Sequence, residues 1–153
     1  MYYLQNGKLS RYSPNTLKSN DFNKIPVNDI EFIDRYEIWY ATFGQGLFLQ
    51  DLGTIQNFDK NDGLKSGGMV FDMVNWKGKT YIATKNGLFV FSGGNISKHY
   101  KKEQGLPSNI ILDMDTYDGL DFIWLATSNG ISKFDGTSFI TVSYTHLRAH
   151  ETS

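Results

Sequence analysis

The 153-residue chain has no cysteine, only three prolines and no long run of apolar residues. The missing cysteine excludes a disulfide framework, a thiolate metal site and a cysteine nucleophile. Fifteen basic and sixteen acidic residues give a formal net charge of −1, so no positive field is available to attract a nucleic acid. No apolar run approaches the roughly 18 residues that a membrane-spanning helix needs. We therefore expect this chain to contact neither nucleic acid nor a membrane.

The residues that are abundant are those of packed strands. Hydrophobic residues make up 40% of the chain and charged residues only 20%, which is enough apolar material for a sizeable core. Eleven Phe, nine Tyr and three Trp residues, which favour pleated surfaces, occur together with fifteen glycines, which favour tight turns. The composition therefore predicts an all-β fold.

A repeat of about 42 residues organises the sequence. Three segments align, and the threonines that end them lie 42 and 43 residues apart: Ile38–Thr42, Thr80–Thr84 and Ile123–Thr127. Each segment is followed within a few residues by a glycine and an apolar residue, and then by a second apolar run and another glycine. A period of this length is typical of propeller repeats.

Each repeat predicts four short strands. Asn86-Gly87 and Asn129-Gly130 stand between apolar runs, and we expect them to form two-residue type I′ turns, in which both residues have positive φ. Residues 88–91 are apolar on both faces of their predicted strand, as expected where a sheet is stacked between two neighbours. The sequence therefore predicts a β-propeller fragment of about three four-stranded blades plus part of a preceding blade.

The repeat also sets the expected boundaries. We expect residues 1–21 to contain the end of a preceding blade and a linker, because Tyr2–Leu9 follows the pattern of the closing strands of the second repeat. The three blades are expected at 22–58, 59–100 and 101–143. The pattern then stops, so we expect residues 144–153 to be a non-native tail and exclude them from functional reasoning.

Two stretches of the third repeat, Glu103–Asn109 and Ile123–Gly136, resemble the two-component regulator propeller repeat. The resemblance extends more weakly over 22–142, and alanine stands where that family usually has glycine before the threonine. It implies a seven-bladed propeller in the extracytoplasmic sensor region of a bacterial histidine kinase or hybrid two-component protein, many of which are linked to carbohydrate sensing. It further implies a periplasmic or extracellular location, although the first residues lack the pattern of a signal peptide. The remaining blades of the parent propeller would be partners of this fragment.

Two sets of loops are expected to form a binding face. In a propeller, the connections from the fourth strand to the next first strand and from the second to the third strand lie at one end of the blades. Amides, hydroxyls and aromatic rings on these loops suit sugar hydroxyls and rings, although the same residue types are ordinary turn formers. The ligand-binding candidates are Phe43, Gln45, Lys65, Lys85, Asn86, Asn109, Ser128 and Asn129. Trp39, Tyr81 and Trp124 occupy equivalent positions and are expected in the blade core.

The leading functional hypothesis is a non-enzymatic sensor whose parent recognises a glycan or another small ligand. A second hypothesis is a scaffold propeller for protein partners or homodimerisation. A third is a propeller glycoside hydrolase or lyase, whose acids would come from the inner strands at Asp29, Asp72 and Asp113 and would stand about 5–10 Å apart. No catalytic residue, cofactor or metal site is assigned by the sequence.

Overall fold

The structure is a computed structural model that describes residues 2–5, 8–11, 26–51, 54–58, 64 and 69–142. Near the amino terminus, β1 (Tyr2–Gln5) and β2 (Lys8–Arg11) form an antiparallel hairpin, with Leu4 opposite Leu9. Within the described residues the only helical element is a 3-10 turn at Lys102–Gln104. No helix in that part of the chain is long and apolar enough to cross a membrane.

Three separate four-stranded antiparallel sheets follow the hairpin, and each is a meander in which neighbours along the chain pair with one another. Blade 1 contains β3 (Val27–Phe32), β4 (Ile38–Thr42), β5 (Leu47–Asp51) and β6 (Thr54–Phe58). Blade 2 contains β7 (Val70–Trp76), β8 (Lys79–Thr84), β9 (Gly87–Ser92) and β10 (Asn95–Tyr100). Blade 3 contains β11 (Ile111–Asp115), β12 (Ile123–Thr127), β13 (Gly130–Phe134) and β14 (Phe139–Val142). The predicted all-β fold with three four-stranded blades is confirmed, as an open and unclosed set of sheets.

The three blades share one register. In each, the pairing of the first and second strands is interrupted by a bulge of one residue, directly before an aspartate that lies opposite an alanine. The paired residues are Asp29 and Ala41, Asp72 and Ala83, and Asp113 and Ala126. A bulge displaces the strand in the same way in every blade, so these positions are structurally equivalent.

Apolar side chains fill the spaces between consecutive blades. The core between blades 1 and 2 includes Trp39, whose ring meets that of Phe91 edge-on with centroids 4.5 Å apart. The core between blades 2 and 3 includes Tyr81 and Phe134, with centroids 5.9 Å apart. Successive strand residues point to opposite faces, so a central blade contributes one face to each core.

The expectation that Trp124 lies in the blade core is wrong for this chain. Trp39 is fully buried and Tyr81 is 3% exposed, as expected, but Trp124 is 38% exposed. All three occupy the same register position and face the side of the following blade. Among the described residues no sheet follows blade 3, so no neighbouring blade covers Trp124.

The expected type I′ turns at Asn86-Gly87 and Asn129-Gly130 are also wrong. Thr84 pairs with Gly87, so the turn residues are Lys85 and Asn86. Among the described non-glycine residues only Lys77 has a positive φ, whereas Gly87 has a φ of 111°. The glycine therefore follows the turn in the left-handed region, as in the common hairpin loop that ends in a left-handed glycine. Two consecutive positive φ values, as a type I′ turn requires, occur instead at Lys77-Gly78 and at Gly93-Gly94.

Candidate ligand-binding face

The two sets of connections identified from the repeat meet at one end of the blades, which we call the loop face. Gly87, which begins β9, donates its N–H to the carbonyl oxygen of Asn109 at 2.6 Å. Ser128, in the turn between β12 and β13, donates its N–H to the Ile110 carbonyl at 3.0 Å. In blade 1, Phe43 forms an isolated bridge with Met69. Backbone contacts thus place both kinds of connection side by side.

One threonine in each blade holds the turn that carries the candidate residues. Its hydroxyl donates to the carbonyl of the glycine after the turn and accepts the N–H of the residue before that glycine. The donations, at 2.7–2.8 Å, run from Thr42 to Gly46, Thr84 to Gly87 and Thr127 to Gly130. The accepted N–H groups, at 3.0–3.2 Å, belong to Gln45, Asn86 and Asn129. This clamp gives a physical reason for the threonine and glycine landmarks of the repeat.

Blade 3 presents the most fully assembled polar group on the loop face. The hydroxyls of Ser108 and Ser128 lie 2.6 Å apart, and the Ser108 hydroxyl also accepts the N–H of Ile110. The Asn129 amide donates to the Pro107 carbonyl at 3.3 Å. These contacts lie at the surface and join the turn to the connection from blade 2. Ser128 and Asn129 are therefore both exposed and held in position.

Asn109 is a supporting residue of this face. Its side-chain oxygen accepts the N–H of Lys102 at 2.8 Å, at the start of the 3-10 turn, and its backbone carbonyl accepts the N–H of Gly87. Gln104 adds a similar contact, because its side-chain oxygen accepts the N–H of Lys101. Asn109 therefore connects the interblade loop to blade 2, a role for which its spacing in the sequence gave no signal.

The turn between β8 and β9 of blade 2 is supported by His99 of β10. Lys85 is exposed, whereas Asn86 is half-buried and its carbonyl oxygen lies 2.6 Å from Nε2 of His99. The His99 ring stacks on Phe89 with centroids 3.8 Å apart. A Cβ on Gly87 would collide with the backbone carbonyl oxygen of Tyr100. The fold therefore requires glycine at position 87, both because a larger residue would collide with Tyr100 and because φ is positive there.

Blade 1 contributes an aromatic ring to the loop face. Phe43 is 53% exposed, and its ring meets Phe71 with centroids 6.3 Å apart. Gln45 is exposed, and its carbonyl accepts the side-chain N–H of Asn57 at 3.0 Å. The candidate Lys65 lies outside the described residues. The loop face thus combines one exposed ring in blade 1 with amides and hydroxyls in the turns of blades 2 and 3.

The inner-strand acids form contacts between blades. Oδ2 of Asp29 accepts the N–H of Met73 at 3.0 Å, and Oδ2 of Asp72 accepts the N–H of Met114 at 2.6 Å. Glu31 repeats the pattern two residues further along, since Oε1 accepts the N–H of Asn75 at 3.1 Å. Each acid therefore fixes the first strand of the following blade.

The carboxyl group of Asp29 lies near that of Asp72 and influences its titration. Burial, followed by the nearby Asp29 carboxyl, raises the pKa of Asp72 to about 7, against the opposing effect of the Met114 N–H. Burial is also the main reason that the pKa of Glu31 is raised. No group of three metal-ligating side chains occurs among the residues that the structure describes.

The uncovered side of blade 3 is a second notable surface, which we call the open face. A cavity of about 360 Å³ on it is lined by Asp113, Asp115, Trp124, Ala126, Ile131 and Val142, among others. Besides Trp124, Ile131 is 47% exposed. These residues correspond in register to side chains of blade 1 that blade 2 covers.

Comparison with known proteins identifies a shared fold. No family model and no curated protein sequence matches the chain. Among solved structures, the extracellular domain of a protein described as a hybrid two component system from B. thetaiotaomicron matches with a TM-score of 0.62 and 22% sequence identity. The match covers 86% of this chain but only 19% of that structure. The chain therefore has the fold of about one fifth of an extracellular domain from a two-component system protein.

Proposed function

We propose that this chain is part of an extracytoplasmic ligand-sensing propeller of a two-component signalling protein, and that its loop face recognises a glycan or another small polar ligand. The observation that carries the proposal is the convergence of Ser108, Ser128 and Asn129, which hydrogen bonds hold in position; Ser128 and Asn129 are exposed and Ser108 is half-buried. Positioned hydroxyl and amide groups can exchange hydrogen bonds with sugar hydroxyls without first being ordered. The exposed ring of Phe43 supplies an apolar surface at the same end of the blades.

The binding test uses purified protein and a panel of neutral cello-, xylo-, manno- and arabino-oligosaccharides, followed by calorimetric titration. The double variant Ser128→Ala/Asn129→Ala removes groups from the loop face. The matched control is Tyr117→Ala, because Tyr117 is 67% exposed but lies in the connection between β11 and β12, at the opposite end of blade 3. We expect the double variant to weaken binding about tenfold, the equivalent of two hydrogen bonds, and the control to change it less than twofold.

Failure of every oligosaccharide to bind would contradict the glycan part of the proposal. Equal loss of affinity in the double variant and in Tyr117→Ala would contradict the assignment of the loop face.

The open face supports a related proposal about partners, namely that a further blade of the same repeat packs on it. Asp113 and Asp115 repeat the register of Asp29 and Glu31, which accept N–H groups from blade 2. Trp124 repeats the position of Trp39, which packs against Phe91. The expected partner therefore presents a first strand with free N–H groups two residues apart and an aromatic side chain on its third strand.

A scaffold function through homodimerisation of the open face is the second candidate. Light scattering on this chain at several concentrations distinguishes packing of a further blade from homodimerisation. A monomer that gains stability when another blade is added supports the further blade, whereas a dimer that Ile131→Lys dissociates supports the scaffold.

A further inference from the structure

A row of apolar side chains borders the loop face where the first strands of the blades begin. Phe43 forms its bridge with Met69 there, and its ring meets that of Phe71 edge-on, with centroids 6.3 Å apart. Ile110 in blade 3 holds the position of Met69 in blade 2, since each directly precedes the first paired residue of its first strand. We call Phe43, Met69, Phe71 and Ile110 the apolar rim.

The apolar rim is open to solvent although blades lie on both sides of it. Phe43 is 53% exposed and Ile110 is 39% exposed, and the other two members are half-buried. Three members lie at the junction of blades 1 and 2, and Ile110 lies at the junction of blades 2 and 3. The exposure therefore has a different origin from that of Trp124, which lacks a following blade. Exposed apolar residues next to positioned polar groups are typical of ligand grooves.

Ile110 joins the apolar rim to the polar group of the loop face. Its N–H is donated to the Ser108 hydroxyl at 3.0 Å, and its carbonyl oxygen accepts the N–H of Ser128, also at 3.0 Å. The hydroxyls of these two serines lie 2.6 Å apart. The side chain of Ile110 thus projects from a backbone that both serines hold, so one small ligand can contact the hydroxyls and the apolar rim together.

We propose that the loop face binds a sugar that carries an aromatic or acyl substituent, with the sugar at Ser108, Ser128 and Asn129 and the substituent on the apolar rim. This names the ligand class of the loop face, so it rests on the function proposed above. An unsubstituted sugar would leave the apolar rim in water, and a wholly apolar ligand would desolvate the hydroxyls without giving them hydrogen bonds. None of these side chains carries a charge, which favours a neutral ligand.

Calorimetric titration of the purified chain with matched methyl and phenyl glycosides of cellobiose, xylobiose, mannobiose and arabinobiose tests the proposal. The two members of each pair differ only in the substituent. We expect a phenyl glycoside to bind about tenfold more tightly than its methyl counterpart, because the added ring packs on the apolar rim. Phe43→Ala/Ile110→Ala should reduce this ratio to less than about twofold. Ser128→Ala/Asn129→Ala should weaken both members alike and leave the ratio unchanged.

The matched control is Tyr36→Ala/Ile140→Ala, which also removes one aromatic and one aliphatic side chain. Tyr36 is 54% exposed and Ile140 is 59% exposed. Tyr36 lies in the connection between β3 and β4, at the opposite end of blade 1, and Ile140 lies on the outermost strand of blade 3. We expect this control to keep the wild-type ratio of the two affinities.

Equal affinity for the phenyl and methyl members of every pair would overturn the assignment of the apolar rim and leave the proposed function standing. A ratio that Phe43→Ala/Ile110→Ala does not change, or that the control abolishes, would mean that the phenyl group binds elsewhere and would overturn the assignment as well. Absence of binding by every glycoside would instead contradict the proposed function on which the inference rests.

Discussion

Blades 1 and 3 carry nearly the same side chains at the same register positions, yet these side chains have different surroundings. Trp39 and Ala41 of blade 1 are fully buried under blade 2. Their counterparts Trp124 and Ala126 are exposed on the open face. The comparison shows that the burial of a blade residue depends on the next blade as well as on the strand that carries it. Its energetic contribution should therefore differ between equivalent positions.

The largest difference is expected for the two tryptophans. Trp39→Ala should lower the free energy of unfolding by about 3–5 kcal/mol, because it removes a buried ring that packs against Phe91 and Phe58. Trp124→Ala should cost less than about 1 kcal/mol in this chain, because its ring is already partly in water. Urea denaturation of both variants measures the two values, and equal losses would contradict the comparison.

The glycines after the second turns give the next difference. Gly87→Ala should cost about 2–4 kcal/mol, because the new methyl group strains a positive φ and also meets the Tyr100 carbonyl. Gly130→Ala strains a similar φ of 99°, but its Cβ would meet nothing within 4 Å, so we expect about 1–2 kcal/mol. Thermal or urea unfolding that ranks Gly130→Ala as the more damaging change would refute the steric explanation.

Removing an interblade acceptor should have a moderate effect. Asp29→Ala leaves the Met73 N–H without its acceptor and should cost about 1–2 kcal/mol. Asp113→Ala should be near neutral in this chain, because Asp113 is exposed on the open face. Urea unfolding of the two variants under the same conditions measures both free energies. The interpretation fails if Asp113→Ala is as destabilising as Asp29→Ala.

The threonine clamps should give the smallest difference between blades. Thr84→Val and Thr127→Val keep the shape of the side chain but remove the hydroxyl that holds each turn. Both should cost about 1 kcal/mol, since the clamp distances are alike in the two blades. Amide exchange of Asn86 and Asn129 measures this locally, and unchanged protection in both variants would show that the hydroxyls do not hold the turns.

Much of the fold could be predicted because short, local sequence patterns mark each repeat. The spacing of the threonines and glycines places the second and third strands, and alternation of apolar residues explains the buried faces. Turn geometry was less accessible, because Asn-Gly suits a type I′ turn as well as the observed turn followed by a left-handed Gly87. The exposure of Trp124 could not be predicted from its own repeat, because it depends on what lies beyond blade 3.

In the candidate site, too, some features follow from the local sequence and others depend on the neighbouring blade. The loop face follows from strand order alone, so Ser128 and Asn129 could be placed there from the repeat. The supporting role of Asn109 and the contact between Asp29 and the Met73 N–H could not, because both depend on how adjacent blades approach each other. Interblade geometry is set by packing between residues more than 40 positions apart in the sequence.

We expect a further blade of the same repeat to pack on the open face of blade 3. Phe58 and Val142 occupy equivalent register positions, so a copy of residues 59–100 attached after Val142 would meet Asp113 and Trp124 as blade 2 meets Asp29 and Trp39. Acrylamide quenching of Trp124 fluorescence compares the chain with and without this added blade, with Trp39, Trp76 and the copied Trp76 all replaced by Phe. If a blade packs there, Trp124 is readily quenched in the original chain and shielded in the extended one. Equal quenching in both proteins would contradict it.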